Sequence, residues 1–143
     1  MSEYSLALRL PPRPDFCRVA RERLVNFTRA HGLCEDDIAY LVAAVGEALA
    51  NAIEHAHSSA PIQIDVEVSD DRVVAVIHDA GVGFVGEPDL PARLPAVDAE
   101  RGRGLAIMRR CSDIFSISSP PGEGTVVTIG RYRRHPAAFN SVA

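Results

Sequence analysis

The segment Glu47-Ala48-Leu49-Ala50-Asn51-Ala52-Ile53-Glu54-His55 combines a helical apolar stripe with a polar face. Its polar residues Glu47, Asn51 and His55 recur every four positions, so they share one face of a helix. A carboxylate and a carboxamide one turn apart could bind a ligand. Taken alone, they are explained more simply as the solvated rim of an ordinary amphipathic helix. The segment predicts a helix, and its polar face is a candidate site.

This helix is expected to begin near Cys34 and to end at about His55 or His57, because its apolar residues keep a helical spacing over that length. An earlier helix is predicted over 16–31 from the same spacing. Asp15, directly before it, is the expected N-cap, since aspartate side chains accept hydrogen bonds from the first turn of a helix.

Strand periodicity occurs on both sides of these two helices. Residues 62–69 alternate apolar with polar side chains, which predicts a strand with one wet face, and the apolar run 73–77 predicts a buried central strand. The remaining predicted elements are strands over 4–10, 114–118 and 125–132, an irregular loop over 83–103 and a third helix over 104–111. The order β-α-α-β-β-loop-α-β-β predicts an α+β fold: a two-layer α/β sandwich with a mixed, mostly antiparallel sheet and its helices on one face.

A second candidate site follows the central strand, in Asp79-Ala80-Gly81-Val82-Gly83. Two glycines separated by one residue, Gly81 and Gly83, allow a sharp turn and the close approach of a flat ligand. Asp79 at the end of the strand could accept a hydrogen bond from an exocyclic amine. A tight turn next to an aspartate explains the same residues equally well.

A third candidate site is Arg101-Gly102-Arg103-Gly104-Leu105, which joins the irregular loop to the third helix. Glycines at a helix N-terminus present free N–H groups and the positive end of the helix dipole, which suit phosphate. Arg101 and Arg103 add positive charge. The segment is neither a Walker A loop nor a dinucleotide fingerprint, because it lacks Gly-Lys-[Ser/Thr] and a third glycine.

Composition limits the kind of protein. The chain has 143 residues, 47% hydrophobic and 24% charged, which predicts one globular domain over 1–143. A net charge of −4 argues against nucleic acid as the main partner. Apolar stretches are broken by charge and no signal peptide is evident, so we expect a cytoplasmic protein without membrane contact.

Metal and disulfide chemistry find little support in the sequence. The three cysteines, Cys17, Cys34 and Cys111, are far apart and odd in number, so we expect neither a disulfide framework nor a zinc motif. Glu54-His55-Ala56-His57 lacks the His-Glu-x-x-His spacing and a third ligand. Two histidines at a helix end are its simpler explanation.

Taken in this order, these segments resemble the GHKL ATPase/kinase superfamily over about residues 6–132. Glu47 to His55 looks like the family's N box, Asp79 to Gly83 like its first glycine box and Gly102 to Leu105 like its second. Gly124-Thr125-Val126-Val127 is similar to the family's late strand. Within the superfamily, Glu-x-x-x-Asn-x-x-Glu-His is most similar to the anti-sigma factor serine kinases of the RsbW/SpoIIAB type.

The resemblance implies the Bergerat ATP-binding fold, with ATP and Mg²⁺ as cofactors. Asp79 would accept the adenine amino group, with Thr125 nearby, and Asn51 would hold Mg²⁺. Glu47 would be the general base that takes the proton from a serine hydroxyl. Residues that would cradle the phosphates belong to the second glycine box and its neighbours, namely Arg101, Gly102, Arg103, Gly104 and Leu105.

Residues 84–101 would form the lid that closes over ATP. This segment is rich in proline, namely Pro88, Pro91 and Pro95, so its movement does not follow from the family pattern.

The resemblance also implies a function and partners. The protein would be an ATP-dependent anti-sigma factor and protein-serine kinase that phosphorylates an anti-anti-sigma (STAS-like) protein, sequesters a sigma factor and forms a homodimer. A non-enzymatic, nucleotide-gated binding module of the same fold is the main alternative, and a detached histidine-kinase catalytic domain is another. Glu47 favours an enzyme, and the Glu-His ending of the N box argues against a histidine kinase. The Arg18/Arg29 face of the first helix is a candidate partner surface.

Overall fold

The computed structural model describes residues 3–55, 59–80, 99–119 and 124–134, with the backbone alone at 99–102. Within these ranges the elements follow in the predicted order. They are β1 (Tyr4–Leu10), α1 (Asp15–Ala30), α2 (Glu35–Glu54), β2 (Ile62–Val68), β3 (Arg72–Asp79), α3 (Ala99–Arg110), β4 (Ile114–Ser118) and β5 (Thr125–Tyr132).

The strands form a single five-stranded sheet in the order β1-β2-β3-β5-β4. All four pairings are antiparallel. The predicted antiparallel character is therefore confirmed, and the described strands contain no parallel pair of the kind that a mixed sheet would add. The last strand in the sequence lies inside the sheet, between β3 and β4.

The helices cover one face of this sheet. α2 packs on β3 and β5, α1 packs on α2 and β1, and α3 packs on α2. Alternate residues of each strand supply the sheet side of the core, because successive side chains of a strand point to opposite faces. Fully buried core residues come from both layers, among them Leu41, Ile62, Ile64, Ile77, Met108 and Ile129.

The start of α1 differs from the prediction. Pro14 already has helical dihedrals, φ −54° and ψ −30°, and it occupies the N-cap position without a side-chain cap hydrogen bond. Asp15 is therefore the first residue of the helix and not its N-cap. Proline fixes φ near the helical value, so the helix begins one residue earlier than the aspartate indicated. Asp15 still places negative charge in the first turn, which the helix dipole favours.

The third helix also begins earlier than predicted. It runs over Ala99–Arg110 and not over 104–111, so Gly102 and Gly104 are its fourth and sixth residues and do not form its start. Alanine, glutamate and arginine are strong helix formers, and together they outweigh the loss of about 1 kcal/mol that each glycine brings to a helix. The predicted loop thus ends before Ala99, and residues 81–98 lie outside the described ranges.

Two further features bear on the class of protein. Among the residues described, no helix has the length and apolar character that a bilayer crossing requires. The three cysteines are half-buried and not disulfide-bonded. Burial raises the pKa of the Cys17 thiol, and nearby Arg21 opposes that effect.

Candidate functional site

Glu47 and Asn51 lie on α2 at the border of the core. Their side chains are half-buried, while Ala48 and Ala52, the residues that directly follow them, are fully buried. One helical turn separates the two polar side chains, as the four-residue spacing predicted. α2 therefore presents a carboxylate and a carboxamide together beside its buried stripe.

α3 brings a glycine against this carboxylate. Gly104 is buried, and a Cβ atom at this position would lie 2.9 Å from the Glu47 Oε1 atom. Real Cβ atoms essentially never come so close to another heavy atom. Glu47 and Gly104, which are far apart in the sequence, therefore meet directly in the fold.

The other residues of the second glycine segment take different places on α3. Arg103 is exposed, whereas Leu105 is buried in the hydrophobic core beside Met108. The Leu105 side chain is thus part of the core, so a ligand could use only its backbone. Arg101 and Gly102 lie in the first turn and a half of the helix, and only their backbone is described.

Asp79 lies at the end of β3 opposite Thr125, the first residue of β5. Both residues are half-buried. The Thr125 hydroxyl oxygen is 3.2 Å from the Ser119 hydroxyl oxygen, within hydrogen-bond distance. The pair Asp79 and Thr125 expected from the sequence is therefore adjacent in the sheet.

Ser119 and Gly124 complete this corner. The Ser119 hydroxyl donates a hydrogen bond to the Gly124 carbonyl oxygen at 3.3 Å. Gly124 has a left-handed φ of +79°, and a Cβ atom there would clash with the Asp79 carbonyl oxygen. Only glycine allows this backbone approach. Sequence reasoning missed Ser119, because a serine before a Pro-Pro-Gly turn has no signal beyond that of the turn.

The packing of α2 on the sheet indicates how the two groups of residues are placed relative to each other. The N-terminal part of α2 is fixed near the end of β5 by hydrogen bonds from Arg131 to Asp37. From Asp37 to Asn51 the helix rises about 21 Å. From Arg131 back to Thr125 the strand spans about 20 Å. Because α2 packs on both β3 and β5, we infer that its second half approaches the sheet end that carries Asp79 and Thr125.

Several predicted site residues lie outside the described ranges. They are Gly81 and Gly83 of the first glycine segment and residues 84–98 of the expected lid. Residues 99–101, the end of that expected lid, belong to α3.

A comparison with known families gives the class of protein. Residues 10–131 match the family described as the histidine kinase-like ATPase domain. This match covers most of the chain, so the chain belongs to the histidine kinase-like ATPase domain family. The GHKL resemblance expected from the sequence is confirmed.

Individual relatives indicate which kinds of protein in this family the chain is similar to. The serine-protein kinase RsbW of Oceanobacillus iheyensis is 32% identical over 143 residues, which cover 92% of this chain and 89% of that protein. The anti-sigma F factor of Clostridium beijerinckii is 27% identical over 135 residues, which cover 90% of this chain and 94% of that protein. The chain is therefore similar to proteins of both names along nearly its whole length.

Solved structures agree on the fold. The structure of the RsbU and RsbW domains of a Mycobacterium tuberculosis protein matches with a TM-score of 0.70 at 23% identity, over 92% of this chain and 33% of that chain. The SiaB–SiaC complex from Pseudomonas aeruginosa contains a chain that matches with a TM-score of 0.57 at 14% identity, over 89% of each chain. At these identities the likeness concerns the fold alone.

Proposed function

We propose that this protein is an ATP-dependent anti-sigma factor and a protein-serine kinase that phosphorylates an anti-anti-sigma protein. The observation that carries the proposal is the Glu47 carboxylate, which lies one turn from Asn51 and directly against Gly104 of α3. A module that only bound nucleotide would have less need of a carboxylate there. The names of the RsbW and anti-sigma F relatives support the same proposal.

The family of this chain is an ATPase domain, so ATP is the expected nucleotide. Asp79 and Thr125 fit the adenine end, since an aspartate oxygen accepts hydrogen bonds from an exocyclic amine. The Gly124 turn fits the same role, because it fixes the Asp79 backbone through a contact that a side chain would prevent. These residues suit a flat, amine-bearing base.

The donor atoms near Asn51 fit Mg²⁺. Magnesium prefers oxygen ligands, takes one or two from the protein and completes its shell with phosphates and water. The Asn51 carboxamide supplies such an oxygen. The described residues contain no cluster of three or more His, Cys, Asp or Glu that could hold a metal. Asn51 is the residue that would hold the ion.

The phosphate role needs adjustment because the glycines lie inside α3. A helix leaves the N–H groups of its first turn without intrahelical partners, and here that turn begins at Ala99. Backbone groups at 99–102 are therefore better placed for phosphate than Gly104. Arg101 and Arg103 would add positive charge to this end of the helix, the end that the helix dipole also makes attractive to anions.

Catalysis would rest on position and charge. ATP bound with Mg²⁺ supplies an electrophilic phosphoryl group and partial neutralisation of its charge. Glu47 would accept the proton of the incoming serine hydroxyl, and Asn51, one helical turn further along α2, would hold the metal. The first turn of α3 offers N–H donors to the phosphate oxygens. Such preorganised groups are the main means by which proteins accelerate phosphoryl transfer.

The proposed partners are a sigma factor, a STAS-like antagonist as substrate and a second copy of this chain, and the proposed location is the cytoplasm. The Arg18/Arg29 face of α1 remains the proposed partner surface. Arg18 pairs with Glu22 at 3.1 Å, and Arg29 forms a two-bond contact with Glu35. These exposed pairs are weak enough to exchange for acidic groups of a partner.

Labelled ATP mixed with the purified protein and candidate antagonist proteins tests the proposal. Phosphoserine on an antagonist is the expected result. Phosphohistidine would indicate a histidine-kinase catalytic domain. Nucleotide-dependent partner binding without any transfer, against every plausible antagonist, would replace the kinase with a nucleotide-gated binding module.

A further inference from the structure

Gly104 has no conformational reason to be glycine. It lies within α3, and the described glycines with positive φ are Gly32 and Gly124. Glycine is also the poorest helix former after proline. The position therefore carries a local disadvantage that neither a turn nor a helix cap explains.

Space explains it. Gly104 is buried, and a Cβ atom there would stand 2.9 Å from Oε1 and 4.0 Å from Cδ of Glu47. Among the described residues, and apart from its own helix backbone and its two chain neighbours, these two carboxyl atoms are the contacts found within 4 Å. The missing side chain thus leaves room for one group, the Glu47 carboxylate, at the surface of α3.

We propose that Gly104 is a positioning residue for Glu47. Its missing side chain lets the carboxylate rest against α3, so that the proposed base keeps one place relative to the first turn of that helix. This inference rests on the proposed kinase function for its catalytic consequence. The contact itself is a feature of the fold and does not depend on that function.

The effect of adding a methyl group follows from which atom it meets. Oε1 is the far end of a flexible side chain, so Gly104→Ala is accommodated by moving Glu47 and not by moving backbone. Folding should be unaffected or improved, because alanine suits a helix better than glycine. The proposed base, however, would leave its place. A misplacement of about 1 Å can lower a catalytic rate by roughly 10²-fold.

Gly46 supplies the matched control. It lies on α2 directly before Glu47 and is also helical. In the part of the chain that the structure describes, a Cβ atom at Gly46 meets nothing within 4 Å. Gly46→Ala makes the same chemical change, with the same gain in helix propensity, beside the same carboxylate. It should leave the carboxylate where it is.

The experiment compares wild type, Gly104→Ala and Gly46→Ala by thermal unfolding, ATP affinity, steady-state phosphorylation and the ¹³C signal of the Glu47 carboxyl without nucleotide. For Gly104→Ala we expect unchanged or higher Tm, ATP affinity within about twofold, a kcat lowered roughly 10²-fold and a shifted carboxyl signal. Gly46→Ala should match wild type in kcat and in the carboxyl signal. Glu47→Asp shortens the side chain by one methylene. In that background, Gly104→Ala should lower kcat by a smaller factor than it does in the wild type.

An unshifted Glu47 signal in Gly104→Ala would overturn the inference, and so would a normal kcat. Loss of ATP affinity in parallel with kcat would overturn it too, because it would assign Gly104 to nucleotide binding. If wild type transfers no phosphate, the proposed function fails, and the carboxyl signal alone then decides whether Gly104 positions Glu47.

Discussion

Arg131 near the end of β5 donates two hydrogen bonds to one oxygen of Asp37 in the first turn of α2, from Nε at 3.2 Å and from Nη2 at 3.1 Å. The two side chains are 5% and 1% exposed. Arg131 Nη1 also donates to the Cys111 carbonyl oxygen, and the Arg134 N–H donates to the second Asp37 oxygen. One buried pair thus joins the start of α2, the end of α3 and the end of the sheet.

Removing Asp37 should strongly destabilise the fold, because it leaves the Arg131 charge buried without its partner. Asp37→Ala is expected to lower the free energy of unfolding by about 3–5 kcal/mol, measured by urea denaturation. Glu22→Ala is the control, since it breaks the exposed Arg18–Glu22 pair, and it should change stability by at most about 0.5 kcal/mol. Similar losses in both variants would contradict the assignment of Asp37 and Arg131 as a structural pair.

Stability should fall in acid partly through Asp113. Partial burial raises the pKa of this carboxyl, but hydrogen bonds from the Tyr132 N–H and the Arg134 guanidinium hold it, on balance, below its ordinary value of 3.8. The unfolded chain therefore takes up this proton first, and the contribution to stability present at neutral pH is lost below about pH 4 as the pH falls through the folded-state pKa.

Asp113→Asn should accordingly be less stable than wild type at pH 7, and the difference should shrink as the pH falls from 4 to 2. Urea midpoints measured across that range check this expectation. Asp70→Asn, at the exposed β2–β3 turn, controls for the loss of a carboxylate as such. A stability difference that stayed constant over the whole range would rule out Asp113 as the source.

Asp79 is expected to recognise the adenine amine. Asp79→Asn should weaken ATP binding by about 1.5–3 kcal/mol, the value of one hydrogen bond to a charged group, as measured by calorimetry. Glu67→Gln removes a charge at an exposed position of β2 and should leave the affinity unchanged. Normal ATP affinity in a folded Asp79→Asn protein would exclude Asp79 from this role.

Glu47 and Asn51 should separate catalysis from binding. A general base matters in the transition state, whereas a metal ligand already acts in the ground state. Glu47→Gln should keep ATP affinity and lower serine phosphorylation by roughly 10²–10⁴-fold, while Asn51→Ala should lose Mg²⁺-ATP binding and phosphorylation together. Nucleotide-binding assays measure the ATP affinity, and single-turnover assays measure the phosphoryl transfer. Normal transfer by Glu47→Gln would exclude only the base, because loose transition states can proceed by positioning.

The sequence predicted the strands well because their signal is local. The bounds of β1, β4 and β5 agree with the expected 4–10, 114–118 and 125–132. Alternation and flanking turn residues specify a strand within a few positions. The starts of α1 and α3 were predicted wrongly for a physical reason. Proline is tolerated at a helix start, and each glycine costs a helix only about 1 kcal/mol, so neither residue marks the boundary by itself.

Contacts between residues far apart in the sequence could not be predicted from it. Asp37 and Arg131 are 94 residues apart, and nothing in either neighbourhood marks them as partners. In the sequence, Asp37 is only one of three consecutive acidic residues in the first turn of α2, Glu35, Asp36 and Asp37. The contact of Gly104 with Glu47 could not be predicted for the same reason. It forms only where α3 packs against α2, and local sequence patterns do not specify that packing.

The candidate site was predicted better than the long-range contacts but less directly than the strands. Glu47 and Asn51 followed from helical spacing, and Asp79 followed from its place at a strand end. Their assignment to ATP came from the family pattern, because a polar helix face or a glycine turn alone fits many proteins. The pairing of Asp79 with Thr125 depends on strand order, which local periodicity does not encode.

The interior place of β5 has a consequence for how the chain acquires its activity. Strands β3 and β4 precede β5 in synthesis, yet each is paired to it, so the sheet stays open along its middle until the final strand arrives. Asp79 lacks its neighbour Thr125 until that moment. Non-local pairings of this kind form late in folding, because long loops must close first. If Asp79 and Thr125 hold the nucleotide as proposed, recognition at this corner is coupled to completion of the fold, and a nascent chain that ends before Thr125 should not bind ATP there.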